Sequence, residues 1–173
     1  LALASRRHPM ALLALLASAP NRSMGRGKLV GLLWPESGEQ TARNRLSTCV
    51  HQVRSALGSD AVQSVGDELR LSSAAASCDV CAFIDAVAEG DHAGAIEHYA
   101  GPLLDGFRLD GSVDLQDHID RERERLADAH ASALEALAAS ADVRAVVFDG
   151  ARPLAVTRRV KAETIPADTR FAV

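Results

Sequence analysis

The sequence predicts a mainly helical protein with one β-hairpin, and three observations lead to this fold class. Hydrophobic residues make up 47% of the 173 residues but aromatic residues only 3%, so Leu, Ala and Val must build the core. Ala and Leu favour helices because their side chains lose little freedom there. Apolar residues recur every three or four positions in several segments, which is the helical period. One stretch alternates apolar and polar residues beside a Gly-Asp pair, which is typical of a hairpin.

Two short helices are predicted at the start of the chain. The first begins near His8, with Pro9 in its first turn, where the missing proline N–H costs nothing. The second covers roughly Arg26 to Trp34. It ends before Pro35, because proline cannot continue a helix.

The third helix has the most regular pattern in the chain. Ser37 and Gln40 have the spacing of a capping box, in which each side chain bonds a backbone N–H at the helix start. Gly58 stands where a left-handed C-cap would fall. The apolar positions recur in steps of three and four: Ala42, Leu46, Val50, Val53 and Leu57. This spacing predicts an amphipathic helix with one buried face.

A β-hairpin is predicted over Val62 to Leu71. Leu69 and Leu71 alternate with a polar residue, and Gly66-Asp67 supplies the turn. Three helices followed by a hairpin form the element order of a winged helix-turn-helix. We predict this fold for residues 1–72.

A second, tetratricopeptide-like helical domain is predicted for residues 78–140, after a linker of small residues at 72–77. Two helices separated by Gly90-Asp91 precede a loop, and a long helix follows from about Ser112 to Ala139. The expected inward positions are Val80, Phe83, Ile84, Val87, Ala93, Ile96, Tyr99, Leu103, Leu104, Phe107, Leu115, Ile119, Leu126, Ala133, Leu134 and Leu137. Paired antiparallel helices with small residues at their contacts are typical of tetratricopeptide repeats.

Charge is distributed unevenly along the chain. Residues 1–72 contain nine basic and five acidic residues, a net charge of +4, whereas residues 73–140 contain four and fourteen, a net charge of −10. The basic part suits a polyanion, and the acidic part suits a different partner. In the tail at 141–173, only Ala145–Phe148 and the Asp149-Gly150 pair after it have a pattern, that of a strand and turn. We leave the rest of the tail without a predicted structure.

Nothing in the sequence indicates catalysis, a metal or a cofactor. The six histidines are scattered without ligand spacing, and the motifs of serine hydrolases, P-loop proteins and zinc proteases are missing. Cys78 and Cys81 form a lone C-x-x-C with no second pair. We interpret them as two small apolar residues near a helix start, in preference to a metal or redox site. The sequence therefore predicts a protein that is not an enzyme.

The sequence also predicts a cytoplasmic protein with no membrane partner. No apolar run reaches the roughly 18 residues that a membrane span needs. Met10–Ala17 could mimic the core of a signal peptide, but it fits an amphipathic helix and further helices follow it directly. Three cysteines cannot form a disulfide framework. The chain begins at Leu1 instead of Met, so we expect its natural N-terminus to lie upstream.

The polar face of the third helix is the candidate binding site. If the apolar positions face inward, the opposite face presents Arg45, Ser47, Thr48, His51 and Gln52, with Arg43 and Arg54 at its margins. Arg and Gln can make bidentate contacts to base edges, and flanking arginines can neutralise phosphates. Arg26 and Lys28, at the start of the second helix, are further candidates for phosphate contact. The alternative is that all of these are ordinary solvated side chains of surface helices.

Several short segments match a known family in their order along the chain. Leu32–Glu36, Ala42–Leu46 and Val53–Gly58 resemble the OmpR-like winged helix of antibiotic-regulatory (SARP-type) transcriptional regulators. Downstream segments resemble the bacterial transcriptional activator domain (BTAD), which is tetratricopeptide-like: Asp79-Val80 with Phe83, Glu89–Asp91, Tyr99–Phe107 and Asp120–Arg123. The resemblance covers roughly residues 9–138.

The chain departs from the family pattern at several places. Members usually begin with a small β-sheet before the first helix, and no such sheet is predicted here. Gly25 and Gly27 stand where a capping hydroxyl and an acidic residue are more usual, and His118 replaces a common Trp. The hairpin carries Asp67 and Glu68 at its tip, where they would approach phosphate.

The resemblance implies a DNA-binding transcriptional regulator. The third helix would be the recognition helix in the major groove of double-stranded DNA, and the helical domain would serve dimerisation or partner contact. Family members commonly activate transcription by recruiting RNA polymerase, so the resemblance implies an activator, a homodimer and that partner. The alternative hypothesis is a protein-interaction scaffold that has lost DNA binding. The acidic hairpin tip, the missing sheet and the modest charge of residues 1–72 favour this alternative.

Overall fold

The structure, a computed structural model, describes residues 6–73, 78–109, 111–140, 143–149 and 152–158. In these ranges the chain is mainly helical with a small three-stranded antiparallel sheet, which confirms the coarse fold class. The helices are α1 (Arg7–Ser18), α2 (Arg26–Leu33), α3 (Glu39–Leu57), α4 (Asp79–Glu89), α5 (His92–His98) and α6 (Val113–Ala139). The strands are β1 (Ser23–Gly25), β2 (Val62–Val65), β3 (Glu68–Leu71), β4 (Val143–Asp149) and β5 (Arg152–Arg158).

The three-stranded sheet has the order β1-β3-β2, with both pairs antiparallel. Strands β2 and β3 form the predicted hairpin, and Gly66 in its turn has the positive φ of 59° that glycine tolerates. Strand β1 was not predicted because three residues are too few to show an alternating pattern. Its central residue, Met24, lies opposite Leu69, and both side chains are buried.

Helix α3 is held by the apolar face that its spacing predicts. Ala42, Leu46, Val50 and Val53 are all buried, whereas Leu57 at the end of the helix is only partly covered. These side chains belong to a first core cluster that also contains α1, α2 and sheet residues, Leu12 among them. Burial of this kind contributes about 1.5–3 kcal/mol for each large aliphatic side chain. Packing therefore fixes which face of α3 points to solvent.

The ends of α3 differ from the sequence prediction. The capping box is wrong: Gly38 is the N-cap residue, and no side chain caps the helix. Because the helix begins at Glu39, Ser37 lies one residue outside the cap, and its hydroxyl accepts a hydrogen bond from Arg45 instead. Gly58 does end the helix with a positive φ of 107°, but its ψ of 153° lies outside the left-handed helical region that we predicted.

Helices α4 to α6 confirm the predicted helices of the second segment. Gly90 ends α4 in the left-handed conformation, and the Asp91 side chain accepts a hydrogen bond from the Gly94 N–H at the start of α5. Ser112 caps α6 in the same way. A second core cluster contains Phe83, Ala86, Ala95, Ile96, Leu103, Leu126 and Ala133. Val87, predicted to face inward, is instead 37% exposed, because α4 turns Phe83 and Ala86 toward the cluster.

The first core cluster also includes residues of the second segment. Cys81 of α4 and Leu115 and Ile119 of α6 lie in the cluster formed by α1, α2, α3 and the sheet. Polar contacts join the same parts: the Arg125 guanidinium donates to the Ser18 carbonyl at 3.0 Å, and Ser112 donates to a carbonyl of α2. Residues 74–77 of the expected linker lie outside the described residues, so a domain boundary there stays a prediction.

The tail contains the predicted strand and a second one. Strand β4 includes Ala145–Phe148 and pairs antiparallel with β5. Strand β5 was not predicted, because Pro153 is its second residue and proline is uncommon inside strands. Gly150 of the predicted turn lies outside the described residues. Within the part of the chain that is described, no helix has the length and apolarity to cross a bilayer.

Three histidines packed between helices make stability depend on pH. Burial lowers the pKa of His8, His118 and His130 below the ordinary value of 6.5. His130 stacks on Tyr99 with ring centroids 4.2 Å apart, and its buried Nε2 has no hydrogen-bond partner among the described residues. Because the folded state favours the neutral rings, the unfolded chain binds more protons between the folded and unfolded pKa values.

We therefore expect the free energy of unfolding to fall as the pH is lowered from 7.5 through 6.5 and below. Urea unfolding followed by circular dichroism at several pH values measures this slope. His130→Phe retains a ring on Tyr99 but cannot be protonated, so it should show a shallower slope than the unmodified chain. A slope that is unchanged by the substitution would remove His130 from the explanation.

Candidate nucleic-acid interface

The predicted site residues of α3 lie mainly on its solvent side. Those that are exposed are Arg43, Arg45, Ser47, Thr48 and His51, whereas Gln52 and Arg54 are half-buried. These five side chains are exposed in the presence of all described residues. No described part of the second segment therefore covers them. The face is thus open to a large ligand such as a duplex.

The two hydroxyl groups of this face are bonded to their own helix. Ser47 Oγ donates to the Arg43 carbonyl and Thr48 Oγ1 donates to the Asn44 carbonyl, each at 3.1 Å. This pattern is common for hydroxyl side chains inside helices, and it leaves the oxygen lone pairs free to accept. Ser47 and Thr48 can therefore meet donors on bases, and the Thr48 methyl group can meet a thymine methyl.

The three arginines of α3 differ in how far they are already engaged. Arg43 forms an ion pair with Glu39 at 2.6 Å, and both side chains are well exposed. Arg45 donates to Ser37 Oγ at 2.9 Å. Arg54 donates from Nε to the Val62 carbonyl at 2.8 Å, which ties α3 to strand β2. Arg54 thus has a structural partner in the hairpin, while Arg43 and Arg45 interact with the side chains of Glu39 and Ser37 near the start of their own helix.

The structure adds Asn44 and Gln40 to the predicted face. Both are exposed, and Gln40 Nε2 donates to Asn44 Oδ1 at 3.2 Å. Asn44 lies one helical turn before Thr48 and two before His51, so it occupies the middle of the solvent side. That spacing was visible in the sequence, because residues four apart share a helix face. A carboxamide here can bond adenine through two atoms at once.

A groove of about 700 Å³ separates α3 from the start of α1. It is lined by Arg6, Arg7, His8, Trp34, Asn44, Arg45, Thr48 and Gln52, among others. Among the residues that the structure describes, the charged lining residues are all arginines and none is acidic. No local pattern predicts this juxtaposition, because tertiary packing alone brings residues at the start of α1 to the side of α3.

His8 and Trp34 both line this groove. Their rings stack with centroids 5.1 Å apart and planes 5° apart. Burial lowers the pKa of His8, and the charge of Arg45 lowers it further. His8 is therefore neutral at pH 7 and serves as packing, while Arg6, Arg7 and Arg45 carry the positive charge.

Arg26 and Lys28 do not form a common basic patch with the exposed face of α3. Arg26 lies on the hairpin side, where its guanidinium donates to Ser64 Oγ at 2.9 Å and its backbone N–H donates to the Asp67 carbonyl. Lys28 is exposed and lies near enough to His118 of α6 for its charge to lower the pKa of that ring, after burial as the larger cause. The two basic residues thus face different neighbours.

The acidic hairpin tip is partly restrained. Asp67 and Glu68 are both exposed, and Glu68 Oε2 accepts a hydrogen bond from Ser23 Oγ at 2.6 Å. Ser23 belongs to β1, so the carboxylate is held against the sheet. A phosphate approaching the hairpin would still meet this negative charge.

In comparisons with known proteins, no protein-family model matches the chain, and no curated protein is significantly similar to it. The family resemblance therefore rests on the residues of the sequence alone.

Proposed function

We propose that the chain is a DNA-binding transcriptional regulator whose α3 enters the major groove of double-stranded DNA. The observation that carries this proposal is the exposed α3 face, where Asn44, Thr48 and Gln52 adjoin a groove whose described charged lining residues are all arginines. The proposal includes a winged helix-turn-helix over residues 1–72, formed by α1 to α3 and the β2–β3 hairpin, of the OmpR-like type.

The side chains of this face divide between bases and phosphates. Asn44 and Gln52 have the carboxamides that pair with adenine, and Arg45 has the guanidinium that pairs with guanine. Arg6 and Arg7, across the groove from α3, are placed to neutralise phosphates. Phosphate contacts of this kind position the protein, while base contacts choose the sequence.

The second segment supports a different role in the same proposal. Its net charge of −10 over residues 73–140 is unsuited to DNA, and Asp, Glu and Arg side chains occupy most of the solvent side of α6. We assign to it dimerisation or contact with a protein partner such as RNA polymerase, as a BTAD-like, tetratricopeptide-like domain. The regulator would then be a cytoplasmic activator with no catalytic activity and no cofactor.

A salt titration of DNA binding tests the function. The full chain is mixed with a fluorescent duplex of mixed sequence, about 25 base pairs long, and the dissociation constant is measured by anisotropy between 50 and 200 mM KCl. If Arg6, Arg7 and Arg45 neutralise phosphates while Glu39 holds Arg43, log K should fall with log salt concentration with a slope of about −3. Selection from a random duplex pool then identifies the preferred site.

The scaffold hypothesis remains the second candidate, and specific contacts favour it. Glu39 already neutralises Arg43, and Asp67 and Glu68 place two acids at the hairpin. A scaffold predicts no binding to the duplex even at 50 mM KCl. That outcome would end the DNA-binding proposal and leave the acidic segment as the functional part of the chain.

Glu39→Gln should strengthen DNA binding. The substitution releases Arg43 from its ion pair and removes a negative charge from the exposed end of α3. At 100 mM KCl we expect affinity for the mixed-sequence duplex to rise about 3- to 10-fold and the salt slope to steepen by about 0.9, the value for one added phosphate contact. Glu135→Gln, exposed near the end of α6, is the matched control and should change neither quantity. Equal affinities for the Glu39 variant and the original chain would show that Arg43 does not meet phosphate.

A further inference from the structure

Cys78 and Cys81 lie side by side at the start of α4. Cys78 is the N-cap residue of the helix, and Cys81 is in its first turn. The two thiol groups lie near enough to each other for each to shift the pKa of the other. Cys78 is half-buried, so solvent reaches it, whereas Cys81 is 6% exposed and belongs to the first core cluster. An accessible sulfur thus lies beside a protected one.

The surroundings of the pair shift the pKa values of the two thiols in opposite directions. Interaction with the Cys81 thiol lowers the pKa of Cys78, and the backbone N–H groups of Cys81 and Val80 lower it further, while burial and the charge of Asp79 oppose the effect. The same interaction between the thiols, together with burial, raises the pKa of Cys81 well above its usual range. The thiolate form is therefore favoured at the accessible sulfur, and the protonated form at its buried neighbour.

The positive charge of Arg22 interacts with both cysteines. Its positive charge acts to lower the pKa of Cys81, and both cysteines in turn act to raise the pKa of Arg22. The same guanidinium forms an ion pair with Asp85, one turn further along α4. Arg22 thus joins the segment after α1 to the helix that carries both thiols.

We propose that Cys78 and Cys81 form a redox-active dithiol that a small-molecule disulfide oxidises to an intramolecular disulfide at the start of α4. This replaces our interpretation of the two residues as inert apolar side chains. It is independent of the DNA-binding proposal, because neither sulfur lines the groove beside α3.

The reaction proceeds by two thiol–disulfide exchanges. The Cys78 thiolate attacks one sulfur of the small disulfide, forms a mixed disulfide with it and releases the other half as a thiolate, which takes up a proton. Cys81 then loses its proton to solvent or to the released thiolate and attacks the Cys78 sulfur. The second half of the reagent leaves as a thiolate and is protonated in turn. Overall, one disulfide is reduced to two thiols while the protein dithiol is oxidised to a disulfide. The two protons taken up by the reagent halves balance the one that Cys78 released on ionisation and the one that Cys81 loses.

The first measurement uses the full chain and iodoacetamide, with Cys49 as internal control. Cys49 lies in the same chain, but it is buried and burial raises its pKa to about 11. At pH 7 we expect Cys78 to be alkylated about 100-fold faster than Cys49. The rate for Cys78 should rise with pH around a midpoint of about 6. Equal rates at the two sites, or a midpoint above 8, would overturn the proposal.

The second measurement uses oxidised glutathione and mass spectrometry. In the original chain, the tryptic peptide that holds both cysteines should lose the mass of two hydrogens, and the Cys49 peptide should stay reduced. Cys81→Ser should instead accumulate glutathione on Cys78, because the resolving thiol is gone. Cys49→Ser should behave as the original chain does. Glutathione that persists on Cys78 of the original chain, or zinc bound to the purified protein in a stoichiometric amount, would contradict a redox-active dithiol.

Discussion

Replacing Asn44 or Gln52 of α3 by Ala is expected to lower the affinity for the selected duplex by about 5- to 150-fold in each case, the range for one lost bidentate base contact. Asn44 is exposed in the middle of the α3 face, and Gln52 lies in the groove beside it. Neither side chain is charged, so their loss should leave the salt slope and the affinity for a mixed-sequence duplex unchanged. A base contact differs from a phosphate contact in this respect.

The measurement compares two duplexes for each variant, the selected site and a mixed-sequence control. Gln116→Ala is the matched substitution, because Gln116 is a carboxamide on α6 whose side chain donates to Asp120. It should bind both duplexes as the original chain does. Arg45→Ala should weaken binding to both, since Arg45 adds charge to the groove. If Arg45→Ala and Gln52→Ala both left binding to the selected site unchanged, α3 could not be the recognition helix.

The sequence predicted most of the helices because long amphipathic segments repeat their pattern several times. The apolar face of α3 recurs at five positions over about four turns, so an error of one residue at its start does not alter which side is buried. An error of one residue does change the prediction of a cap, because a cap depends on a single position. Ser37 was predicted as the capping residue, but the N-cap position is held by Gly38. Strand β1 is the opposite case, since its pairing with β3 joins residues about 45 positions apart in the chain.

The sequence could predict only those residues of the candidate site that lie on the single helix α3. Spacing along α3 separates the buried residues from the exposed ones, and Asn44 could have been included by the same rule. Spacing could not reveal that Arg54 and Arg26 donate to the hairpin, at Val62 and Ser64. Nor could it reveal that Arg6 and Arg7 border the same groove as Gln52. These relations depend on packing between distant segments, which no local pattern encodes.

The small residues at 72–77 and the change of charge after them predicted two modules. One core cluster nevertheless contains buried side chains from both sides of that boundary. Leu115 and Ile119 of α6 lie in the same cluster as Leu12 of α1 and Leu46 of α3. Composition reports where a chain is flexible and polar, but it does not report which apolar faces meet. The thermodynamic coupling of the two segments is therefore open to a direct test.

Leu115→Ala is expected to lower the free energy of unfolding by about 2–5 kcal/mol, the range for truncating a fully buried leucine. Leu115 is 1% exposed, and the substitution leaves a cavity within the first core cluster. Val113→Ala is the matched control, because Val113 is 74% exposed and lies two residues earlier in the same helix. A substitution at so exposed a position should change the free energy by no more than about 0.5 kcal/mol. Urea unfolding measures both values.

Hydrogen exchange then shows how far the loss extends. Because the Leu115 side chain packs in the cluster that also contains α3 residues, the substitution should increase amide exchange in α1 and α3 as well as in α6. DNA binding should weaken in parallel when the temperature approaches the lowered midpoint, although Leu115 is not part of the α3 face. Faster exchange confined to α4, α5 and α6 would show that the segments unfold separately, and the boundary near residue 72 would then divide two independent folding units.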